Sequence, residues 1–485
     1  SRFSLGFSYF GQEGTLGYPA VPNYERYTVR MNSDYSVLKK NGRDVIVFGE
    51  NITATLTSKS GIAIGNNYYN SIRDLLVAPP ILPAYNKAGE FYEYADMQEE
   101  GWDFNQDYAN PLAETYYDHG NNRTKGHRVH GNFYLQIMPI KELTIKSSAG
   151  VHFSHSDYRR YVPTYTLSGK TSNNTDDVTQ NQSYSARWSW ENTINYKKSF
   201  GDHNLDVLAG QSLEKWGYGN SVNVKNSNSI FPGSFDHAYI NNTQGLDVAN
   251  TSIGGSPNGQ GALSSFFARV NYNYKEKYLF SAVMRADGSS NFARGHRWGY
   301  FPSVSAGWVI TNEDFMTSTN DWLSFLKLRA SWGQNGNCNV SGNQHIATIT
   351  SNQGYGGYSF GDIMDAVSTG SYAYKVLNPN LKWETSEQLN IGMDAAFFDS
   401  RLKVELDWYR KVTKDWLVTA PVLMSWGANA PSINGGAVRN TGAELGLHWN
   451  DNVNEDFYYG VDFNLAYNNN KVTSIENSEG IIHGP

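Results

Sequence analysis

From Leu389 to Phe397 the chain places an apolar residue at every second position. Leu389, Ile391, Met393, Ala395 and Phe397 fall on one side of an extended strand, and Asn390, Gly392 and Asp394 on the other. Side chains of a strand point alternately to its two faces, whereas an apolar stripe on a helix repeats every 3.6 residues or so. Asp399-Ser400 reads as a tight turn. The returning segment then sets Leu402, Val404, Leu406 and Trp408 against Lys403, Glu405, Asp407 and Tyr409. One face of this hairpin is continuously apolar and the other is charged, so the two faces see different solvents. The same alternation runs through Phe266 to Tyr274, Tyr278 to Met284, Leu326 to Trp332, Leu143 to Phe153 and Tyr459 to Tyr467. Counting such segments predicts roughly fifteen strands and an all-β protein.

The connections are predicted to alternate between short and long. Asn41-Gly42, Pro139 to Glu142, Lys275 to Lys277 and Asp399-Ser400 are short. The stretches 59–127, 156–185, 217–263 and 336–386 are long and rich in Gly, Asn, Ser and Tyr. Connection 312–325 is expected to hold a helical turn. Short turns at one end and long loops at the other are the plan of a transmembrane antiparallel β-barrel. A soluble sandwich would show shorter strands and no such asymmetry. Aromatic residues agree. Tyr35, Tyr196, Tyr274, Tyr278 and Trp449 stand at the short-turn ends of the apolar faces, and Tyr9, Trp332, Trp408 and Tyr467 at the long-loop ends. Two such rows suit the two lipid–water interfaces, where amphipathic rings prefer to sit. No apolar run reaches the roughly 18 residues of a membrane helix. Cys338 is the only cysteine, which excludes a disulfide framework. With 39 basic against 46 acidic residues the net charge is −7, and no nucleic-acid partner is expected.

Several stretches carry more than architecture. Phe267-Ala268-Arg269-Val270-Asn271-Tyr272-Asn273-Tyr274-Lys275, Arg285-Ala286-Asp287-Gly288-Ser289-Ser290 and Arg297-Trp298-Gly299-Tyr300-Phe301-Pro302-Ser303 come first. Leu328 to Asn337, Asn378-Pro379-Asn380-Leu381-Lys382-Trp383-Glu384 and Asn440-Thr441-Gly442-Ala443-Glu444 follow in order. Together with Tyr9 to Gly14 and Tyr24 to Tyr27, they closely resemble the SusC/RagA family of TonB-dependent outer-membrane transporters from Bacteroidetes. The resemblance implies a barrel of about 22 strands, of which residues 1–485 would form one part. The plug domain and the terminal strands are expected outside this sequence. It further implies location in the outer membrane, active import of oligosaccharides or oligopeptides energised by a TonB–ExbB–ExbD complex through the plug, and a SusD-like surface lipoprotein as partner. A structural or adhesive barrel without transport is the alternative, and a passive porin is disfavoured by the long loops.

Site residues follow from these readings. Arg269, Arg285, Asp287, Lys327, Arg329, Glu405, Asp407 and Glu444 fall on the polar register. They are expected to face the lumen and plug, as an interior ion-pair lattice or as a charged path. For Asp287-Gly288-Ser289-Ser290, turn chemistry accounts for the composition, and contact with the plug or with substrate from the lumen is the alternative. Tyr68, Tyr69, Tyr85, Trp102, Tyr116, Tyr117, Tyr355 and Tyr358 lie in long loops, where they could stack on ligand, meet the lipoprotein or simply pack the loops. These loops are expected to order only when something covers them. No enzyme is expected, since neither a nucleophile elbow nor a P-loop is present. His127-Arg128-Val129-His130 and His152-Phe153-Ser154-His155 imitate metal-ligand spacing, but residues i and i+3 of a strand point to opposite faces. No cofactor is expected. Asp/Asn-rich loops such as 173–177 could hold a structural Ca²⁺.

Overall fold

The computed structural model describes residues 1–62, 71–101, 109–245, 250–319, 321–351, 357–359, 367–373, 375–420, 425 and 427–475. Its centre is a 16-stranded antiparallel sheet, in which fifteen strands pair in chain order. They are β1 (Arg2–Glu13), β2 (Asn23–Lys40), β3 (Arg43–Ser60), β4 (Asn122–Ile137), β5 (Leu143–Val162), β6 (Asp177–Phe200), β7 (His203–Ser227) and β8 (Gly261–Tyr274). β9 (Tyr278–Ser289), β10 (Trp298–Val309), β11 (Leu323–Asn337), β12 (Glu384–Phe397), β13 (Leu402–Lys414), β14 (Gly436–Asn454) and β15 (Phe457–Ile475) complete the order. The remaining strand, Ser252–Pro257, pairs back on the upper part of β7. Among the described residues no helix is long and apolar enough to cross a membrane.

Register keeps each apolar set on one side of the sheet. Ala330 faces Ile391 and Trp332 faces Leu389; Met393 faces Leu406 and Ile391 faces Trp408. Val129 pairs with Phe153 and Leu445 with Leu465. Many of these side chains are exposed, Phe7 at 71% and Ile391 at 53%. Apolar residues displayed along a whole sheet face need lipid as their solvent. The aromatic rows also form. Tyr274 stacks on Tyr278 at 6.3 Å between ring centres, and Tyr9 lies 5.0 Å from Tyr27 at the other end. Polar pairs interrupt the lipid side in places: Ser33 donates a hydrogen bond of 3.2 Å to Glu50, and Asn192 stands opposite Gln211.

Strand length corrects the loop boundaries. β6 has 24 residues and β7 has 25, whereas about 9 to 11 tilted residues cross the hydrocarbon. The surplus lies at the long-loop end, where both faces meet water and apolar alternation fades. The connections expected at 156–185 and 217–263 are therefore only 163–176 and 228–260. Nor is every connection at that end long: 14–22 and 290–297 are brief. Connection 310–322 at the other end holds 3₁₀ turns at Ile310–Asn312 and Asp314–Thr319.

Above the belt the connections carry cores of their own. Phe292, Phe301, Leu381 and Trp383 form one buried cluster, with the Trp383 indole N–H donating to the Arg297 carbonyl at 2.8 Å. Tyr161, Val178 and Ala238 form another. There the Arg159 guanidinium sits over the rings of Phe235 at 4.5 Å and Tyr239 at 4.2 Å, pinning connection 228–260 against β5. Replacing Val404 by Arg should cost about 2 to 4 kcal/mol near the midplane, and the same change at Glu405 little. Urea unfolding in bilayers measures both, and equal tolerance would refute the register.

Candidate luminal face and extracellular loops

The polar face is laced by ion pairs that cross strands. Arg329 on β11 donates to Asp394 on β12 at 3.0 Å and to both carboxylate oxygens of Asp407 on β13 at 2.7 and 2.6 Å. Reaching Asp407 requires crossing the whole width of β12. Register places Gly392 between them, and a Cβ there would lie 2.7 Å from Arg329 Cζ. Gly392 is the saddle over which the guanidinium reaches, and only the absence of a side chain permits it. Asp34, Gly49 and Tyr134 repeat the device on β2 to β4. Register aligns all three, and the Tyr134 hydroxyl bonds the Asp34 carboxylate across the glycine.

The remaining luminal candidates are tied in more locally. Lys327 is 3.7 Å from Asp394, Arg269 is 3.8 Å from Asp206, and Arg285 pairs with Asp287 on its own strand at 2.8 Å. Glu405 stands opposite Asp394 and Glu444 opposite Asp407. A hollow of about 680 Å³ opens beside Lys327 and Arg329, with Asp206, Asn271, Ser281 and Asn390 also lining it.

The loop aromatics converge in part. Tyr85 stacks on Phe91 at 5.5 Å, Phe91 meets Tyr116 at 5.3 Å and Tyr117 at 5.8 Å, and Tyr117 stacks on Tyr165 at 5.3 Å. Connection 61–121 therefore has an aromatic core of its own, which also joins it to connection 163–176. Helix α1 (Pro111–His119) starts at Asn110, whose side-chain oxygen accepts from the Leu112 N–H and whose amide donates to the Ala84 and Tyr92 carbonyls. Tyr117 donates to Glu93 at 2.9 Å, and its phenol is pushed up to about 12, first by burial and then by that carboxylate. Tyr68, Tyr69, Trp102 and Tyr355 lie outside the described residues, and Tyr358 falls in a short strand, Gly357–Ser359, whose side chains are not described.

Each His motif splits between the two faces, as strand geometry demands. What the spacing hides is that the motifs pair with each other. His127 lies opposite His155 and His130 opposite His152, both with ring centres 5.9 Å apart. Counting back equally from the 138–142 turn falls two residues short of both pairs, because Ile137 pairs with Ile145. Among the described residues no three His, Cys, Asp or Glu gather to hold a metal. In segment 173–177, Asp176 accepts from Ser229 N–H at 3.1 Å and from the Tyr161 hydroxyl at 3.2 Å, while Asp177 pairs with Lys225 at 2.8 Å. Cys338 lies against the Trp383 cluster, and burial raises its thiol pKa.

Residues 81–482 match the model of the TonB dependent receptor-like β-barrel family. TonB-dependent receptor P3 of Formosa agariphila is 29% identical over 99% of this chain and 45% of its own length. TonB-dependent receptor SusC of Bacteroides thetaiotaomicron is 29% identical over 76% of this chain and 35% of its own. The RagAB peptide transporter structure superposes with a TM-score of 0.79 at 24% identity, covering 99% of this chain and 50% of that one. The chain thus spans about half the length of these relatives or less.

Two outcomes follow from the geometry. Gly392→Val should break the Arg329–Asp407 bridge and cost about 1 to 3 kcal/mol, the worth of a charge-assisted hydrogen bond. A lower midpoint on heat-modifiability gels, matched by Asp407→Asn, would register it. The second concerns Glu114 on α1, whose carboxyl is pushed up to about 7 by burial and then by Asp74 and Asp118. A raised acid stabilises the folded loop fully below its unfolded value of 4.5, and that contribution is lost as pH rises through about 7. Corrected for the intrinsic pH dependence of exchange, the protection factors of 109–121 should therefore be higher at acidic than at alkaline pH, and Glu114→Gln should flatten the difference.

Proposed function

The chain belongs to the TonB-dependent receptor-like β-barrel family, and from that premise we propose that it forms barrel wall in an outer-membrane active importer of the SusC/RagA type. The observation that carries the proposal is the family match over residues 81–482 on a wall with one lipid-suited and one charged face. The barrel performs no chemistry. It supplies a polar lumen, a ladder of ion pairs stiff enough to hold a plug, and folded loops at the extracellular mouth. The peptide transporter among the structural neighbours supports oligopeptides as cargo, and the SusC/RagA resemblance implies oligosaccharides as the other class, both too large for a diffusion pore.

Energy comes from TonB acting on a plug within the whole protein, and a SusD-like lipoprotein covers the mouth. The described part of loop 61–121, packed on its own aromatic core with Tyr85 and Tyr116 each 43% exposed, offers that lid an aromatic surface of the kind that anchors interfaces. The contact should exceed the roughly 2,000 Å² typical of permanent complexes. Removing residues 71–119 from the whole protein should abolish both copurification of the lipoprotein and TonB-dependent uptake, while the barrel stays heat-modifiable. Uptake and lid binding that survive the deletion would contradict this assignment. A correctly folded whole protein that accumulates no solute in TonB-competent cells would favour the structural or adhesive reading instead.

A further inference from the structure

On the luminal face of β3 to β6, near the extracellular end, the wall is dented. The hollow measures about 330 Å³. Register explains it, because one row across the four strands reads Thr57, Gly126, Ser156 and Ser183. The row below adds Ser154 and Ser185 beside Arg128, and the row above adds Thr124 beside Lys59. Small side chains on adjacent strands leave room, and the room is lined with hydroxyls.

The charges around it are unbalanced. Arg160, Arg187, Arg269, Arg285 and Arg329 each have a carboxylate partner. Lys59 and Arg128 have none among the described residues, and no Asp or Glu lines the hollow. Asp157, on the neighbouring stretch of β5, lies in the opposite register and faces outward. Two uncompensated cations in a concave wall attract an anion. Hydroxyls that both donate and accept match the alternating donors and acceptors of a sugar. A peptide is less well served, since the backbone of these strands is spent on the ladder and leaves no edge for strand addition.

We propose that this hollow is a subsite for an acidic oligosaccharide, its carboxylate or sulfate held by Lys59 and Arg128 and its ring hydroxyls by the Ser and Thr rows. The inference rests on the importer reading and narrows its substrate class. The subsite needs no motion of the wall, because every lining residue of β3 to β6 sits on a paired strand.

The test uses the whole protein purified in detergent. Titration calorimetry compares a galacturonic acid tetramer, a sulfated galactose tetramer, a neutral galactose tetramer and pentaglutamate. At least one acidic sugar should bind about tenfold or more tightly than the neutral one, the worth of one good charge-assisted contact. Lys59→Gln with Arg128→Gln should remove that preference without lowering the unfolding midpoint, and Arg128→Lys should restore part of it. Equal binding of acidic and neutral sugars, tighter binding of pentaglutamate, or an acidic preference untouched by the double change would each overturn the proposal. TonB-dependent uptake of another solute alongside any of these results leaves the importer reading standing. Absence of both binding and uptake removes the two together.

Discussion

Everything in this structure depends on the backbone hydrogen bond having no water to fall back on. In hydrocarbon an unpaired N–H or C=O costs several kcal/mol, so strands must pair laterally with no gap in the ladder. That requirement fixes the antiparallel order from β1 to β15, and with it the parity of every side chain. Parity then allots each residue to lipid or lumen. Leu406 and Trp408 pass to one side, Glu405 and Asp407 to the other. The side chains choose the solvent, but the ladder enforces the choice, because a slip of one residue would exchange the two faces entirely.

A wall built this way has a flat, regular inner surface, and function requires it to be otherwise. Glycine solves part of the problem. At Gly392 and Gly49 a missing side chain lets Arg329 and Tyr134 reach carboxylates two strands away, tying three strands with one side chain. At Gly126 the same absence, flanked by Thr57 and Ser156, leaves a hollow rather than a bridge. The long connections solve the rest by folding on themselves, through the Phe91 stack, the Trp383 cluster and the Arg159 clamp.

The sequence told the two-faced strands plainly, because lipid tolerates little else on its side and the alternation at 389–397 and 402–408 is nearly clean. It failed where that pressure ends. Polar residues such as Gln180, Gln182, Asn220 and Asn223 read as loop, yet they continue β6 and β7 above the membrane, where water on both faces erases the pattern. Site geometry was legible in kind and not in detail. Arg329 and Asp407 were both assignable to the polar register, but their contact depends on two successive strand pairings and an intervening glycine. Tyr85, Tyr116 and Tyr117 were visible as loop aromatics. That they share one stack with Phe91 and Tyr165 follows from a loop fold that no period announces. The family motifs around Arg297-Trp298-Gly299 and Leu381-Lys382-Trp383 meet in the buried Phe292–Trp383 cluster, a convergence that order along the chain does not reveal.

The central claim is that one face of this sheet meets lipid and the other water. Spin labels placed singly at positions 402 to 409 of the whole protein in bilayers test it directly, through collision with oxygen, which concentrates in lipid, and with a water-soluble nickel complex. The account predicts that the two accessibilities alternate out of phase, oxygen highest at 402, 404, 406 and 408 and nickel highest at 403, 405, 407 and 409. Accessibilities that rise and fall together, or that show no two-residue period, would contradict it.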